Sequence, residues 1–297
     1  MPLGIENETL EKCEALKLAG IWPSGSKMNA RSWLNNFDEN DRPIAALLLS
    51  KFTYYNQEQS DALLVAAYNS IGDGLPKGPK APNSTELIKA LDDAVLTMVS
   101  GENPNPTDSG FLYCRKARQV LHISESLQKD PVEALLHAIN GGTVVFIDDF
   151  IGSGDQFLKH WEREYRTEPP RSFKEVQEVN GFTAIYITLV STDYGLGEIH
   201  KKSPQVAVCS THIIGEKSTL FGLDEYGYGK IDIDNFLNKY SSRLEPDDGY
   251  MTHPLYLKFG YKMRGLLLAF EHSVPDATLP IFWSKGTGNW RCLVERA

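Results

Sequence analysis

Two adjacent carboxylates, Asp148 and Asp149, stand at the end of the apolar run Thr143-Val-Val-Phe-Ile147. A small-residue segment follows at once: Gly152-Ser153-Gly154-Asp155-Gln156. A β-branched run of this kind is expected of a strand buried on both faces, and the loop after it lies at the strand's carboxyl end, where α/β sheets place ligands. Backbone N–H groups of Gly152, Ser153, Gly154, Asp155 and Gln156 converge there on the start of the helix expected over Gln156–Tyr165. That is an anion site, with phosphate its commonest occupant. The acids before it accept hydrogen bonds from sugar hydroxyls. Together the two halves describe a ribose 5-phosphate. The same acids would also serve as solvated turn acids or as a helix N-cap, a reading the spacing leaves open.

Other phosphate and nucleophile motifs fail on spacing. A dinucleotide fingerprint needs glycine three residues after Gly154, and Phe157 stands there. No Gly-Lys-Ser/Thr ending exists for a P-loop. A nucleophile elbow around Ser153 needs glycine at 151, which is Ile151. Cys209 and His212 are three apart on an expected strand and fall on opposite faces, which disfavours a dyad or a zinc pair. Asp193, at the end of the next strand, gives an acid pair plus a lone acid as in a receiver domain, but half the chain precedes the pair, against the usual size of such a domain.

The elements that must hold this segment alternate. Asp130 and Pro131 open a helix over Val132–Ile139, closed by Asn140-Gly141-Gly142. Phe182–Val190 and Gln205–Ile214 read as strands, with a short helical piece near Glu198–Lys202. This alternation predicts a parallel α/β sheet. Upstream, helices are expected over 7–19, 29–37, from Pro43 onward, and over 57–71, so the first 75 residues read as a helical lobe. Gly72–Pro82 reads as a linker, Ser84–Val99 as a helix capped by Ser84 with Glu86 in its first turn, and Gly101–Gly110 as a turn-rich stretch. Phe111–Cys114, Gly265–Phe270 and Leu279–Trp283 read as strands, and Asp234–Ser241 as a helix.

The chain has 297 residues, 41% of them hydrophobic and 23% charged, which is ordinary for a globular protein. Lys plus Arg is 30 against 39 Asp plus Glu, a net charge of −9. That balance argues against gripping nucleic acid over the whole surface. Four cysteines without a CxxC pair point to a reducing, cytoplasmic setting. No apolar run approaches a membrane span and no secretory leader is seen.

The run from Val144 to Gln156 resembles the PRPP-binding motif of type I phosphoribosyltransferases: apolar strand, acidic pair, apolar pair, small-residue phosphate loop. It departs from that motif at Phe150, Gly152 and Gln156, where the family's loop ends in a hydroxyl residue. From about Trp33 onward the chain is similar to the phosphoribosyltransferase-like proteins of bacterial conflict systems, including those beside retrons and other anti-phage loci. The likeness rests on Leu47-Leu-Leu-Ser-Lys-Phe-Thr-Tyr54, Ile147-Asp-Asp-Phe-Ile-Gly-Ser-Gly154 and Thr278-Leu-Pro-Ile-Phe-Trp283. Asp276 and Ala277 stand where that group usually has two asparagines.

The resemblance implies a phosphoribosyltransferase-like, mainly parallel sheet flanked by helices over 84–297, with the helical lobe at 1–75. It implies PRPP or a related ribosyl phosphate as ligand, with Mg²⁺ bridging the pyrophosphate. Asp148 and Asp149 become the catalytic acids and Gly152–Gln156 the phosphate loop. Arg115, Lys116 and Arg118 become the local candidates for gripping pyrophosphate; a basic solvated edge is their plainer reading. The implied function is that of a pentosyltransferase-like effector of anti-phage defence, transferring ribosyl phosphate or cleaving a nucleotide, with a protein partner in a defence complex. The alternatives are a non-catalytic nucleotide-binding sensor and a structural partner of a nucleic-acid enzyme such as a reverse transcriptase. Because neighbouring carboxylates repel each other in the free protein, Asn at either acid is expected to cost little stability.

Overall fold

The computed structural model describes residues 4–25, 27–74, 89–101, 109–226, 229–246 and 253–296. It is a mixed α/β chain whose strands pair in parallel. Two compact units make it up: residues 1–59 with 215–297, and residues 60–214.

The first unit joins segments far apart in sequence. Helices α1 (Ile5–Leu18), α2 (Ala30–Leu34) and α3 (Arg42–Ser50) precede the short strand β1 (Thr53–Tyr55). Helices α11 (Lys230–Ser241) and α12 (Pro254–Phe259) precede β6 (Leu268–Phe270). β1 pairs with β6 in the register Thr53–Leu268, Tyr54–Ala269, Tyr55–Phe270. Pro43 lies in the first turn of α3, where its missing N–H costs nothing, and Ile44 to Leu49 are all buried. Two of the segments that carry the family resemblance meet here. Trp33 stacks on Phe282 at 4.9 Å and its indole N–H donates to the Ile281 carbonyl at 2.8 Å, while Phe52 packs on the same Phe282 at 4.6 Å.

The second unit holds the candidate site. Its four strands are β2 (Val95–Met98), β3 (Val144–Ile151), β4 (Ala184–Thr192) and β5 (Val206–Ile214), hydrogen-bonded in chain order. Between them run α6 (Ser109–Val120), α7 (Pro131–Ile139), α8 (Asp155–Glu162), α9 (Phe173–Val179) and α10 (Asp193–Lys202). Right-handed crossovers between strands in consecutive order put their helices on one face. Accordingly Ala134, Leu135, Phe157, Trp161, Phe173 and Ile199 from α7 to α10 bury against Val144, Phe146 and Tyr186. α6 packs against β2 and β3. From Ser60 onward α4 (Gln57–Asn69) belongs to this unit, and its Leu63 carbonyl accepts from Thr211 of β5 at 2.8 Å. α5 (Ile71–Gly74) lies against β5. Local signals account for the helix starts. Asp130 Oδ1 accepts from the Val132 and Glu133 N–H groups at 2.8 and 2.9 Å, and Ser172 with Glu175 closes a capping box on α9.

Several expectations need correction. The first 75 residues are not all helix, because Thr53–Tyr55 is a strand that finds its partner some two hundred residues later. For the same reason the compact units do not follow the expected division at 75 and 84: the segment after Ile214 packs with the N-terminal helices. Val95–Met98 is strand, buried at all four positions, not the end of a helix. Phe111–Cys114 lies inside α6, and Pro280–Phe282 is a single 3-10 turn in place of a strand. The Glu198–Lys202 piece is the end of the ten-residue helix α10. Ser84, Glu86, most of the Gly72–Pro82 linker and residues 102–108 of the turn-rich stretch fall outside the described residues. Among the described residues no helix is long and apolar enough to cross a membrane.

Candidate functional site

β3 does not stop at Ile147; it continues through both acids to Ile151, with Asp148 opposite Thr188 and Ile151 opposite Ser191 on the fully buried β4. Inside a strand, neighbouring side chains leave on opposite faces. Asp148 therefore shares the face of Phe146 and Tyr186 under α8, and Asp149 takes the face covered by α6. Both are buried, Asp148 to 1% exposure and Asp149 to 6%. Asp148 Oδ1 accepts from the Asp149 backbone N–H at 3.0 Å, and Oδ2 accepts from the Gln156 side-chain amide at 3.1 Å. The Tyr186 hydroxyl is also hydrogen-bonded to Asp148. Burial, followed by the charges of Asp148 and Asp149, raises the Tyr186 pKa well above the ordinary phenol value. Tyr186 thus keeps its proton and donates it. On the other face burial, and after it Asp149, raises the Tyr113 pKa, and Ser60 is hydrogen-bonded to that phenol. Burial, with Asp148 behind it, pushes the Cys114 thiol up to about 12.

The loop after β3 turns sharply into α8. Gly154 is the N-cap of α8 with φ of 81°, a left-handed conformation that favours glycine, and no side chain caps the helix. Ser153 Oγ accepts from the Asp155 N–H at 3.4 Å. Apart from the Asp155 N–H, which Ser153 engages, the N–H groups of this turn and the positive end of the helix dipole suit an anion. Asp155 supplies a negative charge of its own to this turn, and after Glu198 it is among the groups that raise the pKa of Lys202 on α10. The loop is braced by the start of α10: Thr192 Oγ1 donates to the Gly152 carbonyl and accepts from the Gly195 N–H at 2.9 Å. Two helix starts thus abut at the carboxyl edge of the sheet.

The three basic candidates lie on helix α6 and divide between its faces. Lys116 is buried, its Nζ 2.9 and 3.0 Å from the two carboxylate oxygens of Asp61. Arg118 pairs with Glu125 at 3.0 Å on the surface. Arg115 is exposed and pairs with no described residue. The structure therefore brings Asp148, Gln156 and the loop together, and it distributes the basic trio between a buried ion pair, a surface ion pair and one open cation. Among the described residues no group of three His, Cys, Asp or Glu side chains forms a metal site.

Tyr186, Thr192, Gly195 and Tyr113 escaped sequence reasoning. Thr192-Asp-Tyr-Gly195 carries the one usable signal, a hydroxyl residue three before the N–H it caps. His160 of α8 was also missed. Its Nδ1 accepts from the Ser100 N–H at 3.2 Å and lies 2.9 Å from the Tyr165 hydroxyl. Arg163 donates to Ser100 Oγ at 2.9 Å and to the Gly101 carbonyl at 2.6 Å. Burial, with Arg163 behind it, pushes His160 down to about 3. This neutral, fully buried imidazole ties the exit of β2 to the helix that begins at the loop.

A family model described as PRTase-CE matches residues 30–296. No curated protein matches the chain. Among solved structures, the AQ2163 protein from Aquifex aeolicus is similar at 12% sequence identity over 63% of this chain and 84% of that one, with a TM-score of 0.31.

Proposed function

The chain belongs to the PRTase-CE family and is a phosphoribosyltransferase-like protein; from that premise we propose that it binds PRPP or a related ribosyl phosphate over the β3–α8 loop. One observation carries the reading: a strand bearing two buried acids runs into a loop whose Gly154, at φ of 81°, caps α8 without a side chain. The 5-phosphate takes the N–H groups of Gly152–Gln156, and the ribose lies toward the acids. Mg²⁺ would come with the ligand rather than reside on the protein, since the described residues form no metal cluster of their own, and it would offset charge on the departing pyrophosphate. In transfer, the bond between ribose C1 and the pyrophosphate oxygen breaks, pyrophosphate leaves with the electron pair, and an acceptor or water bonds to C1. Asp148 and Asp149 stabilise the positive charge that builds on the ribose, and Arg115 of the basic trio meets the leaving group. Titration with PRPP in a calorimeter, with and without Mg²⁺, should give saturable heat that inorganic phosphate competes away. A flat titration overturns the reading.

A second reading, binding without turnover, is favoured by two specific observations. Asp148 already takes three protein donors, and Lys116 is committed to Asp61. Release of free pyrophosphate, measured over time with PRPP and a nucleotide pool, separates transfer from mere binding. We further propose, on the resemblance to conflict-system proteins, that the chain acts in a bacterial anti-phage complex in the cytoplasm, its N-terminal lobe meeting a protein partner. Phage plating on cells carrying the chain and its neighbouring genes tests this: protection that survives Gly154→Val together with Asp149→Asn removes the site from the defence role.

A further inference from the structure

Resting on the ribosyl-phosphate reading, we propose that Gln156 is the residue that reads a ribose hydroxyl, held in place for that task by Asp148 and Tyr186. Asp148 is only 1% exposed, and its carboxylate is occupied by the Asp149 N–H, the Gln156 amide and the Tyr186 hydroxyl. Tyr186 is itself fully buried and stacked on Phe157 with ring centres 4.4 Å apart and planes 12° apart. A ligand approaching from solvent thus meets Gln156 before it meets Asp148.

The orientation of that amide follows from chemistry. An ionised carboxylate accepts only, so Gln156 must turn its NH₂ toward Asp148 and leave Oε1 outward. Gln156 is exposed in the first turn of α8, and no described residue donates to Oε1. The line Tyr186–Asp148–Gln156 therefore runs from the buried sheet to the loop and ends on a fixed acceptor. Beside it stand the backbone donors that suit a phosphate. A neutral amide accepts a hydroxyl proton without the repulsion a carboxylate would exert on a nearby phosphate.

The test compares ribose 5-phosphate, 2,3-dideoxyribose 5-phosphate and inorganic phosphate on the full chain and on Gln156→Met, by calorimetry. Net loss of one neutral hydrogen bond corresponds to about a threefold to tenfold change in affinity. The preference for ribose 5-phosphate over its dideoxy analogue should shrink by that factor in Gln156→Met, because the substitution removes the side-chain acceptor while the backbone N–H of residue 156 stays in the phosphate loop. A preference that survives the substitution overturns this inference alone. A parent that binds none of the three overturns the ribosyl-phosphate reading as well. A variant that loses affinity for inorganic phosphate by the same factor as for ribose 5-phosphate shows that the Gln156 side chain serves the phosphate and not the sugar, and overturns the inference.

Discussion

The Cα of Gly195 faces the Gly152 carbonyl so closely that a Cβ there would lie 2.5 Å from the oxygen. The approach is mutual, since a Cβ on Gly154 would lie 2.9 Å from the Gly195 carbonyl. The starts of α8 and α10 therefore interlock backbone to backbone, and the shape of the candidate phosphate loop is set by a helix that follows the next strand. A side chain at either glycine needs a backbone shift, because both obstacles are carbonyls and not the tips of flexible side chains.

Gly195→Ala should cost about 1–3 kcal/mol through overpacking. Gly197 sits on the same helix with nothing within 4 Å of its Cβ position, so Gly197→Ala should gain up to about 1 kcal/mol from reduced unfolded-state freedom. Urea denaturation of the two variants checks the contrast. Equal stabilities would mean that the close approach at Gly152 is wrong.

Thr192→Val removes both the cap of α10 and the bond to the Gly152 carbonyl. The expected loss is about 1 kcal/mol from the cap, with weaker phosphate binding because the loop is no longer held. Thr192→Ser keeps the hydroxyl and should restore both. If valine binds phosphate as well as serine does, the loop does not depend on this brace.

Asp148→Asn should lower stability by about 1.5–3 kcal/mol, the range for hydrogen bonds to a charged group. An amide cannot accept on both sides, and here Oδ1 and Oδ2 each take a donor. Sequence reasoning expected little loss, because it treated the acids as an unpaired couple in a loop. Thermal melts of Asp148→Asn decide between the two: a melt equal to the parent's supports the unpaired couple.

Lys116→Met and Arg115→Ala should separate. The first breaks a largely buried ion pair with Asp61 and should lower the melting temperature. The second changes an exposed cation, so the melt should stay put while the preference for PRPP over ribose 5-phosphate declines. Loss of that preference in Lys116→Met alone would reassign the pyrophosphate contact.

His160 makes stability depend on acid. Its folded pKa is depressed to about 3 from 6.5, so between those values the unfolded chain binds a proton that the folded chain refuses. Stability from this group is full above pH 6.5 and falls as pH drops toward 3, by at most about 1.4 kcal/mol per pH unit. His160→Gln keeps an acceptor for the Ser100 N–H and does not titrate. Its stability should therefore fall less steeply between pH 6.5 and 5 than the parent's, and parallel slopes would show that the imidazole is not shielded.

The centre of the site was legible where local chemistry decides it. Val144–Ile147 reads as strand because β-branched and apolar residues fill both faces, and Asp130-Pro131 reads as a helix start because cap and first turn carry their own signature. Gly154 reads as a turn for the same reason. The continuation of β3 through Asp148 and Asp149 was not legible, because charged residues look like the end of a strand. They are tolerated inside it because Gln156 and Tyr186 supply donors to Asp148, and that is known only once α8 and β4 are in place. Phe111–Cys114 failed for a different reason: four apolar residues fit strand and helix alike. The buried positions Tyr113 and Ala117, four apart, settle it as α6.

Pairing of Thr53 with Leu268 also has a consequence in time. During synthesis β1 leaves the ribosome 215 residues ahead of its partner, which at ordinary elongation rates is about 10–40 s. Over that interval the nascent chain can complete the continuous four-stranded unit, while Trp33 and Phe52 still lack Phe282, and Tyr55 still lacks Phe270, the rings they pack on. The N-terminal segment is the stretch for which a chaperone, or a partner bound during translation, would have the most to shield.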